Sequence, residues 1–426
     1  MGFLILSLLF STLLIISSIL SSSWFLLQVY YYKSVKEILY KYQSLNRSPK
    51  ISIIVAIKNE PIDIIEELFE NLSSLDYENY EVIVISDDDE DYFRRILLEV
   101  KGNKIHLFRR DERKGRKAGA LNFGISKASG EYLVFLDAEA RVDRYFLSKI
   151  AVMLKDREAI ALKLSVRNLN SPLGMAYAKT TDFSMKSMFL SRWEKGLFIF
   201  PNGSALAIKR DAMKKLMWRE GLMTEDLDLG IRCVMHGIKI DYIHDIEVST
   251  LSPLGIFDLY EQIKRWAYGS GELLFSSLRL AKFGLKGIEG IIYVNQWGIY
   301  SFFLFMLILT STIDPIVKIP DLILLVTIIL YSISIGIYSL ILKAKGDFRT
   351  ATATIWGSFF GYIQGLIRIK SDWKVTPKDK RKDVKPFLLY IFQYLLILFS
   401  FIDIYLGSLL QGIMLFLLSI SIFIME

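Results

Sequence analysis

Cysteine is nearly absent from this chain. Its one residue, Cys233, makes an intrachain disulfide impossible, which suits a domain in the reducing cytoplasm. Histidine is almost as scarce. Three residues without close spacing, in 426, argue against a zinc site. There is no internal repeat and no low-complexity linker, which argues against a solenoid or a string of modules. The most telling scarcity is that of charge in four stretches, 3–32, 291–313, 321–342 and 387–425, which are nearly uncharged.

These stretches raise the hydrophobic fraction to 52%, too apolar for an ordinary soluble enzyme of this length. A helix crosses a bilayer with roughly 20 apolar residues. The first three stretches fit one crossing each, and the fourth is long enough for two short crossings with a turn near Asp403 to Gly407. Residues 3–32 exceed the apolar core of a secretory signal and lack its basic n-region and cleavage site, so they read as a retained anchor.

The net charge of +7 is concentrated beside these stretches. Lys33, Lys36, Lys41, Arg47 and Lys50 follow the first. Lys343, Lys345 and Arg349 follow the third, and a series from Lys370 to Lys385 precedes the fourth. The connector 314–321 carries a single lysine. The positive-inside rule then places 33–290 and 343–386 in the cytoplasm, with the N-terminus outside, five crossings and a cytoplasmic C-terminus. Nucleic acid is not expected as a partner, because charge alternating between connectors is a membrane pattern. Residues 253–283 are too charged to span and fit an amphipathic helix at the membrane surface. Residues 351–369 are nearly long enough to cross, but basic residues flank both ends, and they read as interfacial.

Between the apolar stretches the composition is globular. Ile51 to Ile57 and Glu81 to Ser86 are short β-branched runs that read as buried strands, as do Lys104 to Phe108 and Tyr132 to Leu136. Ile64, Ile65, Leu68 and Leu72 recur at helical spacing after Pro61, and Ala118 to Ala128 is a second helix. Strands alternating with helices imply a parallel sheet covered on both faces, with ligands beyond the carboxyl ends of the strands. Asp87 and Asp137 both stand at such ends.

Several motifs carry chemistry. Asp137 and Glu139 alternate after a strand, so both carboxylates can face one cation, and such ligands without Cys or His select Mg²⁺ or Mn²⁺. A polar turn has the same form. Asp87 opens an acidic run that ends at Asp91, and among its members it is best placed to touch a nucleotide. Lys117 closes a basic loop at the start of a helix, where first-turn amides help it face a diphosphate. Gly203 and Ser204 follow Pro201 and Asn202, where a glycine permits close approach by a ligand or simply a turn. Thr224, Glu225 and Asp226 have the form of a helix cap with acids in the first turn, which is a sufficient structural reason for them. Asp226 equally fits a general base for an acceptor hydroxyl, and the residues alone do not choose. Gln262, Arg265 and Trp266 share a face of the interfacial helix, where a tryptophan also serves as a membrane anchor.

Taken in order, these motifs resemble those of the membrane-bound family 2 glycosyltransferases, the class of cellulose, hyaluronan and chitin synthases. The likeness covers about 48–280, and Trp373 to Lys378 resembles a cytoplasmic segment of such enzymes. It implies an α/β, Rossmann-like GT-A domain joined to an α-helical transmembrane domain. The boundaries are then an anchor at 1–32, the catalytic domain at 48–250, interfacial helices at 251–286, and a C-terminal transmembrane region at 287–426 with a cytoplasmic segment at 343–386. The implied reaction is inverting transfer from a nucleotide-sugar, expected to be a UDP-sugar, to a glycan or lipid acceptor, with Mg²⁺ or Mn²⁺. By the same resemblance Asp87 contacts the nucleotide, Lys117 the diphosphate, and Asp137 with Glu139 the metal. Asp226 is the base, Gly203, Ser204, Glu225 and Trp266 face the acceptor, and Gln262, Arg265 and Trp266 close over the donor. Glu139 departs from the usual Asp-x-Asp, so its direct ligation is in question. A processive polysaccharide synthase in the plasma membrane is the first expectation, and transfer of one sugar to a lipid carrier the second. Candidate residues at every motif argue against an inactive scaffold.

Overall fold

The computed structural model describes residues 2–36, 42, 48–342, 348–369 and 383–426. Segment 373–378 and the basic residues Lys41, Arg47, Lys343, Lys345 and those from 370 to 382 lie outside the described residues.

Eight strands form one mixed sheet: β1 (Ile51–Ile57), β2 (Tyr80–Ser86), β3 (Ile105–Arg109), β4 (Tyr132–Leu136), β5 (Arg141–Val142), β6 (Ala159–Val166), β7 (Leu206–Lys209) and β8 (Ile240–Thr250), in the order β3-β2-β1-β4-β7-β6-β8-β5. The four runs read from sequence are β1 to β4, and they pair in parallel. Their side chains divide by alternation. Ile53, Val55, Val82, Val84 and Val134 enter the core beneath the helices Ile62–Ser73 and Phe146–Leu154. Ile54, Ile83, Ile85, Leu133 and Phe135 enter the core on the other face, beneath Arg116–Lys127. Strand β1 pairs with both β2 and β4, so the residues that follow those two strands, Asp87 and Asp137, flank its carboxyl end.

The second half of the sheet breaks the parallel pattern. Strand β7 is antiparallel to both β4 and β6, with Leu206 opposite Phe135. That register carries the preceding loop, residues 201–204, to the end of the sheet where Asp137 lies.

Among the described residues four helices are long and apolar enough to cross a membrane: Gly2–Lys33, Gln296–Ile313, Asp321–Leu342 and Phe387–Tyr405, with a shorter apolar helix Leu409–Phe423. The helix Phe348–Leu366 is not among them. It lies along Ile256–Glu272, the helix that carries Gln262, Arg265 and Trp266. Gly357, Gly361 and Gly365 recur every four residues, and an added Cβ at each would collide with the carbonyl oxygens of Tyr260, Lys264 and Tyr268 in turn. The two backbones therefore touch directly, as small residues at every fourth position permit.

A buried ion pair joins the helical part to the sheet domain. Arg192 is fully buried, and its fork donates to Glu289 through Nε and Nη2, both at 2.8 Å. The guanidinium lies 3.9 Å from the centroid of the Tyr293 ring, and that ring stacks on Phe200. Tyr31 of the first helix donates to Glu289 at 3.4 Å. Removing one member of such a pair leaves the other charge buried, at a cost of about 3–5 kcal/mol. Arg192→Met is expected to lower the midpoint of thermal unfolding in detergent markedly. Arg192→Met with Glu289→Gln should cost less than the two single losses added together.

Candidate functional site

All eleven residues singled out from the sequence line one cavity of about 2060 Å³. It opens at the carboxyl ends of β1, β2 and β4 and continues between the helices of the apolar region. The acidic run at its mouth divides its labour. Asp87 accepts two bonds from Arg110, from Nε at 2.7 Å and Nη2 at 2.6 Å. The same guanidinium donates to the carbonyls of Lys114 and Arg116, and so fixes the basic loop against the strand end. Asp88 accepts from the backbone N–H of Asn59 and from Ser86. Asp89 caps the helix Glu90–Leu98. Of the acidic run only Asp87 lines the cavity, together with Lys58, Asn59, Arg113 and Arg116. Asn59 and Arg116 hold φ of 54°, a left-handed conformation that is uncommon away from glycine and concentrates at functional sites.

The centre of the site is a cluster of one lysine and three acids. Lys117 Nζ lies 2.6 Å from Asp137 Oδ1 and 3.7 Å from Glu225 Oε1. Asp226 Oδ2 accepts the backbone N–H of Gly203 at 2.8 Å, and Oδ1 accepts that of Leu227 at 2.7 Å. Glycine at 203 eases this approach, since a Cβ there would stand 3.3 Å from both Asp226 Oδ2 and Lys117 Nζ, a tight contact. Thr224 precedes the helix Glu225–Met235, yet its hydroxyl makes no capping bond and is buried without a hydrogen-bond partner. Capping by Thr224 therefore does not account for the motif. Instead Thr224 abuts Gly269 of the helix Ile256–Glu272, where an added Cβ would collide with it.

Burial dominates the electrostatics of the two acids that begin the helix Glu225–Met235. It pushes the Glu225 carboxyl up to about 7, against the pull of Lys117 and with Asp226 adding to the rise. Asp226 is raised as well, by burial first, with Lys117 and the two N–H donors opposing. Burial alone would lower Lys117, but Asp137 and Glu225 outweigh it and hold the ammonium above its usual value.

The turn after β4 is held from behind by two arginines that sequence reasoning missed. Arg141 Nη1 donates to the carbonyls of Ala138 and Ala140, at 2.8 and 2.7 Å, and Arg167 Nη1 donates to that of Glu139 at 2.5 Å. No sequence signal marks them, because their role depends on which strands end beside that turn. Asp137 and Glu139 both line the cavity, while among the described residues no three His, Cys, Asp or Glu gather into a complete cage. Two carboxylates suit Mg²⁺ or Mn²⁺, which keep waters and take substrate phosphates as further ligands. Across the cavity Tyr177, also missed, donates to Gln262 at 3.1 Å. Asn202 Nδ2 is buried and unpartnered in the same lining. Trp266 is partly exposed, and its ring centroid is 6.2 Å from that of Trp297.

Residues 52–217 match the model of Glycosyl transferase family 2. A probable glycosyltransferase of Sulfolobus acidocaldarius is 29% identical over 416 residues, 89% of each chain. A poly-beta-1,6-N-acetyl-D-glucosamine synthase of Staphylococcus aureus is 28% identical over 65% of this chain and 70% of its own. Among solved structures, a mannosyltransferase of Pyrobaculum calidifontis, in complex with GDP-Man and Mn²⁺, superposes with a TM-score of 0.60 at 19% identity, covering 84% of this chain and all of that one. The mixed sheet and its helices are thus of the GT-A kind.

The raised acids make a prediction of their own. A carboxyl held near 7 keeps its proton well above the ordinary range and loses it as pH rises through neutrality. Infrared difference spectra of the whole protein should show a protonated carboxyl band at about pH 6 that is gone at about pH 8. Glu225→Gln should reduce it by the share of one carboxyl. A spectrum without that band in the parent protein would contradict the burial effect.

Proposed function

From a chain that carries a family 2 glycosyltransferase domain, we propose an inverting enzyme that moves a sugar from a nucleotide-sugar, a UDP-sugar, onto a growing glycan at the cell membrane. The observation that carries the processive reading is the continuity of the cavity. It runs from Asp87 and Lys117, past Asp226, to an aromatic series in which Trp266, Trp297, Tyr300, Phe25 and Tyr338 follow one another at centroid spacings of 5.0 to 6.3 Å. Flat aromatic faces suit the apolar faces of sugar rings, and Gln28 and Gln296 in the same lining suit their hydroxyls. Ile335, Leu342 and Phe348 also line this end, and their apolar character supports a second reading, transfer of one sugar to a membrane lipid.

In this reading the nucleotide lies at the mouth near Asp87, with its diphosphate toward Lys117 and the Arg113 and Arg116 side of the cavity. Asp226 takes the proton of the acceptor hydroxyl. Its raised pKa makes it a better proton acceptor at neutral pH than an ordinary aspartate, and its two N–H bonds fix its aim. Gln262, Arg265 and Trp266 close over donor and acceptor, with Gln262 oriented by Tyr177. Asp137, with Glu139 directly or through water, would hold a Mg²⁺ or Mn²⁺, whose charge would offset that of the departing diphosphate. The catalytic domain faces the cytoplasm, by the charge of the connectors.

Incubation of the membrane-embedded protein with a labelled donor is expected to give a ladder or high polymer, and exhaustive chelation should abolish it. One lipid-soluble product would favour the second reading. Asp226→Asn should retain donor binding while losing roughly 10²–10⁴-fold in transfer, about 3–5 kcal/mol of barrier. In the parent, kcat/KM should fall as pH drops below the raised carboxyl range, because protonation disables the base.

A further inference from the structure

Lys117 stands where its charge competes with a cation for Asp137. Its Nζ lies 2.6 Å from Asp137 Oδ1 and 3.7 Å from Glu225 Oε1. Three elements enclose it: the turn after β4, the start of the helix Glu225–Met235, and the loop at Gly203. Three partly or fully buried carboxylates that face one another cannot remain uncompensated, because each unpaired buried charge is costly. Here one ammonium pairs with Asp137 and lies beside Glu225, and burial raises Glu225 and Asp226 despite it. A divalent ion at Asp137 would meet that ammonium as a like charge at close range.

We propose that Lys117 is an internal stand-in for the divalent cation. Without substrate it pairs with Asp137 beside Glu225, and it releases Asp137 only when a nucleoside diphosphate arrives to receive its ammonium. Cation and nucleotide therefore bind as a couple, and neither binds well alone. Side-chain chemistry favours the exchange. Lysine is a point charge on a flexible four-carbon stem, able to swing between anions without a fixed hydrogen-bond geometry. Arg110, which holds Asp87 with a two-pronged fork, is the fixed counterpart in the same site. Arg113 and Arg116 line the cavity nearby and add positive potential on the side toward which the ammonium would move. This inference rests on the reading of Asp137 as a metal ligand. It adds an order of events that the metal reading alone does not contain.

The test is Mn²⁺ binding to the full-length protein in detergent, followed by the electron paramagnetic resonance signal of free Mn²⁺, without nucleotide and with saturating UDP or GDP in separate arms, each corrected for Mn²⁺ held by nucleotide in buffer. The parent should bind Mn²⁺ weakly alone and about tenfold more tightly with the matching nucleotide, with a reciprocal gain for the nucleotide. Lys117→Gln should bind Mn²⁺ alone about tenfold more tightly than the parent and lose most of the nucleotide-dependent gain. Lys117→Arg, which keeps the charge, should stay weak without nucleotide. A parent that binds Mn²⁺ equally well with and without nucleotide overturns the inference, and that measurement needs no variant. A folded Lys117→Gln with unchanged or weaker Mn²⁺ binding overturns it too. Asp137→Asn with parent-like Mn²⁺ binding, or no Mn²⁺ binding by any form in the presence of nucleotide, instead overturns the metal reading and takes the inference with it.

Discussion

The site depends on one pairing, that of β7 running antiparallel against β4. The parallel strands bring Asp87 and Asp137 to one edge, as any doubly wound sheet would. A loop from 65 residues further along the chain reaches that edge only because Leu206 pairs with Phe135 in the reversed direction. The pairing delivers Gly203, whose backbone N–H then holds Asp226, and whose missing side chain leaves room for Lys117. Slipping this register by one residue would turn Leu206 and Ile208 out of their core and move the loop by a residue's rise, about 3.4 Å. That shift exceeds the length of the hydrogen bond it must preserve.

The helical region is coupled to the site by contact rather than by long linkers. Ile256–Glu272 touches Thr224 through Gly269, and touches the helix Phe348–Leu366 through the glycine row of the latter. Gln262, Arg265 and Trp266 are therefore placed by backbone against backbone, with little freedom to tilt. The Arg192 and Glu289 pair makes a second connection, from Tyr31 of the first apolar helix through Tyr293 to Phe200, two residues before Asn202. Two independent ties thus hold the apolar helices in register with the acids that face the cavity.

Charge compensation explains why the acids can be so close. Glu225 and Asp226 start a helix, where its dipole favours negative charge, yet burial raises both because solvent is kept from them. Lys117 supplies one positive charge beside them and only partly offsets the burial. The same closeness that stores protons on these carboxyls makes Asp226 a stronger base once it is ionised.

The sequence by itself determined the local elements and the chemical inventory. Strand runs such as Tyr132 to Leu136 are β-branched and aromatic stretches buried on both faces, and their pattern is set by neighbours within the run. Long uncharged stretches declare helices because a bilayer or a protein core excludes charge over that length. The candidate residues were legible as motifs, since chemistry selects residue type, and all of them line one cavity. Tertiary structure decided the rest. That Arg110 would occupy Asp87, that Arg141 and Arg167 would brace the turn at Glu139, and that Tyr177 would orient Gln262 depend on which distant segments meet. The wholly buried Arg192 gave no warning of its place, because an arginine in sequence reads as solvent-facing until its partner Glu289, nearly a hundred residues away, is known. Such pairings cross the sheet and the helix interface, and no local pattern encodes them. They are set by the minimum of burial and charge compensation over the whole fold.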